Sequence, residues 1–133
     1  MKSKSVLVIA IVVQMLSSGL SQEKAVSVSF SQLIDHSSAF DGKVVEVRGY
    51  LKVHTQPRHA PVIVLYQGRE DAADLLTKNQ LLVIPSREMF ESRADLDRND
   101  VRLVGKVRAV RSAYGSYAPV LREVQHFSLA TEP

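Results

Sequence analysis

Apolar and polar residues alternate along two long stretches of this chain, and the alternation predicts strands. Between residues 43 and 53, Val45, Val47, Gly49, Leu51 and Val53 interleave with Val44, Glu46, Arg48, Tyr50 and Lys52. A period of two turns one set toward a core and the other toward solvent or a partner. Residues 101–111 repeat the pattern, with Val101, Leu103, Gly105, Val107 and Ala109 set against Arg102, Val104, Lys106, Arg108 and Val110. Short apolar runs at 62–66 and 81–84 predict two more strands, and a less regular stretch at 118–129 a fifth. Both long strands carry a glycine midway on the apolar face. Glycine weakens a strand unless the strand bends sharply or another backbone comes close, and small barrels need such bends.

The elements between the strands follow from caps and breakers. Ser29 and Gln32 have capping-box spacing, and Val28 with Leu33 the spacing of a hydrophobic staple. They predict a helix over 30–38, ended by the Asp41-Gly42 turn. Residues 54–61, containing Pro57 and Pro61, read as a loop. Glu70 and Asp71 ahead of Ala72, Leu75 and Leu76 predict a short helix reaching about Asn79. Ser86 is placed to cap a helix carrying Met89 and Phe90. Residues 97–100 and 112–116 read as turns.

Five strands with a helix between the third and fourth follow the order of an OB-fold. The expected class is therefore mainly β: a five-stranded OB-like Greek-key barrel with an N-terminal helix and short helices between strands two and three and between strands three and four. The segment Phe40-Asp41-Gly42-Lys43-Val44-Val45-Glu46-Val47-Arg48-Gly49-Tyr50-Leu51, the Leu65-Tyr66 strand end and the 101–105 strand start resemble those of small exported bacterial OB-fold-like proteins of unassigned function. The resemblance spans about residues 28–129. It implies the barrel and carries no catalytic residue with it.

The N-terminus changes the picture of where the chain works. Lys2 and Lys4 precede an apolar run over 6–16 interrupted by Gln14, and Gly19 and Ser21 are small residues at cleavage spacing before Gln22. That is the pattern of a signal peptide. These eleven residues make a helix of about 16 Å at ~1.5 Å per residue, short of a hydrocarbon core of ~30 Å. The expected organisation is a signal peptide at 1–21, a flexible leader at 22–28, an OB-like domain at 29–129 and a tail at 130–133, with a periplasmic or secreted location. The mature chain is expected to have no stable membrane anchor.

Removing 21 of the 133 residues leaves 112, enough for one core. Lys2 and Lys4 go with them, so 15 basic residues face 14 acidic ones. This near balance disfavours nucleic acid as the partner, because a nucleic-acid binder ordinarily carries a basic footprint. With no cysteine there is no disulfide framework, no Cys-based metal site and no lipid-acceptor thiol.

No catalytic constellation emerges. A nucleophilic serine elbow is missing. The four histidines, His36, His54, His59 and His126, lack metal-ligand spacing, and Glu70, Asp71 and Asp74 fit a helix start, where negative charge interacts favourably with the helix dipole. The chain is accordingly expected to be no enzyme and to use no cofactor. What the pattern offers is a binding face: Arg48, Tyr50 and Lys52 on the outer side of the first strand, Tyr66 at the end of the second, and Lys106 and Arg108 on the fourth. Such residues contact anions and stack on planar groups. The leading expectation is a binding module of the cell envelope for a protein partner or small ligand. A single-stranded nucleic-acid module through Arg48, Tyr50, Lys52 and Tyr66, and an enzyme converging on Glu46, His54 or His126, are the alternatives. Val44, Val104 and Val110 on the outer side imply that the N-terminal helix covers part of the barrel.

Overall fold

The computed structural model describes residues 24–74, 77–111, 115 and 117–130. The expected signal peptide, the pair Leu75 and Leu76, most of the 112–116 turn and the last three residues lie outside that set.

The chain opens with β1 (Val26–Ser27), which pairs in parallel with β2 (Val44–Gln56). This strand sits inside the stretch expected to be a flexible leader, and the next residue, Val28, is buried and donates its N–H to the Glu46 carbonyl. The capping box then forms as the sequence predicts. Ser29 Oγ accepts from the Gln32 N–H and Gln32 Oε1 accepts from the Ser29 N–H, both at 3.1 Å. Helix α1 (Phe30–Asp35) is shorter than expected, because the chain tightens into a 3-10 turn over Ser37–Phe40.

β2 continues into β3 (His59–Tyr66), and the expected loop at 54–61 is instead a tight hairpin. Only Pro57 and Arg58 turn, with Arg58 at φ 70°. A register irregularity between His54 and Gln56 accommodates Pro61, which has no N–H to give to a ladder. Helix α2 (Arg69–Ala72) is a single turn and does not reach Asn79. Asp71 draws the chain back: its Oδ1 accepts from Thr77 Oγ1 at 3.1 Å and from Asn79 Nδ2 at 3.2 Å. β4 (Gln80–Val83) follows, then α3 (Arg87–Glu91), capped by Ser86 Oγ on the Met89 N–H, and α4 (Arg93–Leu96). β5 (Asn99–Arg111) and β6 (Tyr117–Leu129) complete the sheet.

The strands close on themselves. β2 pairs with β3, β3 with β4, β4 in parallel with β6, β6 with β5, and β5 again with β2. This is a five-stranded OB-like barrel with helices between its third and fourth strands. Val45, Val47, Leu51, Ile63, Leu65, Leu81, Leu103, Val107 and Leu121 fill the interior at 2% exposure or less. Phe30 and Leu33 of α1, and Met89 and Leu96 of α3 and α4, join that same cluster. The N-terminal helix feeds the core, and of the three outward valines Val44 and Val104 are buried, at 4% and 9%, while Val110 is 47% exposed. Burial of these side chains is worth about 1.5–3 kcal/mol each before the opposing chain entropy.

The two mid-strand glycines do what their positions imply. A Cβ on Gly49 would lie 2.5 Å from the Tyr66 carbonyl oxygen, and one on Gly105 would lie 2.9 Å from that of Arg122. At both sites a neighbouring strand's backbone occupies the space of a side chain. Opposite Gly105, β6 bulges through Glu123, whose φ is 51°.

Candidate binding faces

Register places the outward residues. Tyr50 stands opposite Tyr66 on one side and Asp100 on the other, Lys52 opposite Val64, Arg48 opposite Arg102, and Lys106 opposite both Val44 and Arg122. Five of the six expected site residues thus fall into two groups on the wall, and Arg48 lies apart.

The first group is Tyr50, Lys52 and Tyr66. It is not the open stacking platform that the sequence implies. Tyr50 and Tyr66 are only 8% and 6% exposed, packed with Val64 and Ala72. The cover is α2, whose Ala72 seats in this cluster while the Arg69 guanidinium lies 5.7 Å from the centre of the Tyr50 ring. The Tyr66 hydroxyl is hydrogen-bonded to His54 Nε2 at 2.8 Å, the rings meeting edge to face. Burial lowers the His54 pKa from its ordinary 6.5, helped by the positive Lys52 and opposed by Asp97. Burial also pushes the Tyr66 hydroxyl up from 10.0.

Beside this cluster the turn from α4 into β5 is tied to β2. Asp97 Oδ1 accepts from the Val53 N–H at 2.7 Å, and the Arg98 N–H donates to the Leu51 carbonyl at 2.7 Å. These bonds hold Arg98 at φ 61°, a left-handed conformation costing roughly 1 kcal/mol for a residue with a Cβ. Two connected depressions result. One of about 180 Å³ is lined by Tyr50, Lys52, Arg69, Ala72, Ala73 and Arg98. The other, of about 390 Å³, shares Tyr50, Arg69 and Arg98 and adds Gly68, Asn99, Asp100 and Leu129. Sequence reasoning missed Arg69 and Arg98. Arg69 is masked by its acidic helix neighbours and Arg98 by a turn that looks merely polar; only the tertiary fold brings Arg69 over Tyr50 and Arg98 into the same depression.

The second group is Lys106 and Arg108, joined by Arg122 of β6 around a depression of about 240 Å³ that also includes Asp41 and Glu123. Arg48 lies apart from both groups, beside Arg102. Farther along the wall an apolar groove of about 390 Å³ is lined by Val64, Gln80, Leu82, Val110, Ala118, Pro119 and Val120. Leu82 and Val110 are 42% and 47% exposed there. Arg108 stands at its edge, opposite Val120.

The three residues considered for an unrecognised enzyme site do not converge. Glu46 and His126 flank Val104 across adjacent strands. His54 lies eight residues along β2 from Glu46, about 26 Å at ~3.3 Å per residue. Among the described residues no group of three His, Asp or Glu side chains is placed to hold a metal ion, and no helix is long and apolar enough to cross a membrane.

No protein-family profile matches the chain. No curated protein sequence matches it either. Among solved structures, a chain described as an aspartyl-tRNA synthetase from Leishmania major Friedlin superposes with a TM-score of 0.50 at 15% identity. The match covers 86% of this chain and 22% of that one. At that identity the likeness concerns the barrel fold, and this chain spans about a fifth of the other's length.

Proposed function

We propose that this protein is a non-enzymatic, exported OB-like binding module that holds an apolar, acidic segment of a protein partner in the cell envelope. One observation carries the reading: the open groove between Val64 and Leu82 on one side and Val110 and Val120 on the other. Exposed large apolar side chains gathered in one depression mark an interaction surface. Arg108 at the groove's edge and Lys106 near it favour acidic residues in the partner, whereas Arg122 is paired with Glu123 at 3.8 Å. Export rests on the N-terminal pattern of basic, apolar and small residues.

The test places a photo-crosslinking residue at Leu82, with a second at Gly68 as a control away from the groove. The proposal expects an adduct from Leu82 alone, abolished by Val110→Glu and weakened by Arg108→Glu. Equal adducts from both positions refute it. N-terminal sequencing of the chain from a fractionated cell tests export; the expected first residue is Gln22.

A second reading is single-stranded nucleic acid along Lys106, Arg108 and Arg122. It requires affinity for an oligonucleotide that falls steeply with salt. Loss of such binding in Lys106→Glu together with protection of the groove would move the assignment to this class.

A further inference from the structure

A separate feature of the wall has the makings of a small-ligand site. Lys52, Arg69 and Arg98 come from three different elements, β2, α2 and the α4–β5 turn, yet line one depression of about 180 Å³ floored by Tyr50. No carboxylate among the described residues comes within ion-pair distance of Lys52 or Arg69. The nearest anion to Arg98 is Asp97, 4.0 Å from its Nε, and the other oxygen of Asp97 is engaged by the Val53 N–H. Asp97 offsets Arg98 only in part, and the three like charges repel one another, so an anion seated among them stabilises the arrangement.

Two details go beyond a chance gathering of surface cations. Arg98 is held in a left-handed conformation by a 2.7 Å backbone bond to Leu51, which fixes where its side chain departs. Arg69 is drawn to the face of Tyr50, a buried ring whose position is set by packing against Val64, Tyr66 and Ala72. The adjoining depression of about 390 Å³ contributes hydrogen-bonding and apolar surface from Asn99 and Leu129, with the Asp100 carboxylate disfavouring a second negative charge on that part of a ligand.

We infer that Lys52, Arg69 and Arg98 form a site for an oxyanion head group, phosphate or carboxylate, whose attached remainder lies in the neighbouring depression against Leu129 and Asn99. Guanidinium groups match such head groups through paired N–H donors. The site is distinct from the apolar groove, so either can fail without the other.

The experiment is an amide NMR titration of the full-length chain with three probes at constant ionic strength: inorganic phosphate, acetate and phenyl phosphate, with sodium chloride as reference. The inference expects shifts at residues 50–52, 68–70 and 98–100. Phenyl phosphate should bind more tightly than phosphate, with added shifts at Asn99 and Leu129. A response to phosphate alone assigns a phosphate head group, and one to acetate alone a carboxylate; both support the site. Arg69→Gln with Arg98→Gln should weaken binding about tenfold or more, while Arg108→Gln should leave it unchanged. The double variant and Arg108→Gln are each checked by a dispersed amide spectrum. Silence to all three probes, equal shifts with chloride, or binding that survives the double Arg variant overturns the inference.

Discussion

Replacing Gly49 by alanine tests how tightly the barrel is drawn together. The added methyl carbon would sit 2.5 Å from the Tyr66 carbonyl oxygen and 2.7 Å from Leu65 Cγ. Ordinary contact begins near 3.4 Å, so β3 must retreat by close to an ångström, and the obstacle is backbone. Overpacking of this kind costs about 1–3 kcal/mol. Alanine returns about 0.5–1 kcal/mol by reducing the freedom of the unfolded chain. The upper part of the range applies because the Tyr50–Tyr66 pairing must also give, leaving a net loss of about 2 kcal/mol. For a domain near 100 residues that lowers Tm by about 10 °C. Gly105→Ala, with contacts at 2.9 and 3.0 Å, should cost about half as much. Gly68→Ala, with nothing within 4 Å, should be neutral or slightly stabilising. Thermal and urea unfolding followed by circular dichroism gives all three values. If Gly49→Ala is as stable as the parent, or the three fall in another order, the closure argument fails.

Three further outcomes follow from local contacts. Asp97→Ala leaves the Val53 N–H without its acceptor and should cost about 1–2 kcal/mol in urea unfolding with the m-value unchanged. His54 should titrate below 6.5 by NMR, higher in Lys52→Ala and lower in Asp97→Asn, since Lys52 lowers and Asp97 raises its pKa. Because folding favours the neutral ring, the unfolded chain takes up the proton first as pH falls. Stability should therefore decline from about pH 6.5 down to the folded-state pKa and then level, a slope that His54→Gln removes. Ser29→Ala, which loses the capping box, should cost about 1 kcal/mol in the same unfolding assay.

Strands with strict alternation were legible in the sequence because their side chains face two different media. The 44–53 and 101–111 stretches therefore appear in the barrel nearly as read, glycines included. The helix starts at Ser29 and Ser86 were equally legible, since a cap is a local bond. What escaped was set by distant partners. The hairpin at Pro57 and Arg58 depends on pairing that tolerates Pro61, and α2 stops early because Asp71 bonds to Thr77 and Asn79. The binding face suffered most. Tyr50 and Tyr66 read as exposed platforms because they occupy outward positions, but a one-turn helix covers them. Arg69 and Arg98 join Tyr50 only through tertiary register, which no local pattern records.

The order in which the barrel closes has a consequence for how the chain comes into being. β6 is bonded to both β4 and β5, and it is the last described strand. Until residues 117–129 have been synthesised, β4 keeps a bare edge beside Leu81 and Val83, and β5 lacks one of its two neighbours. The nascent polypeptide therefore has no finished barrel to fold into, and its apolar edges stay open to chaperones during elongation.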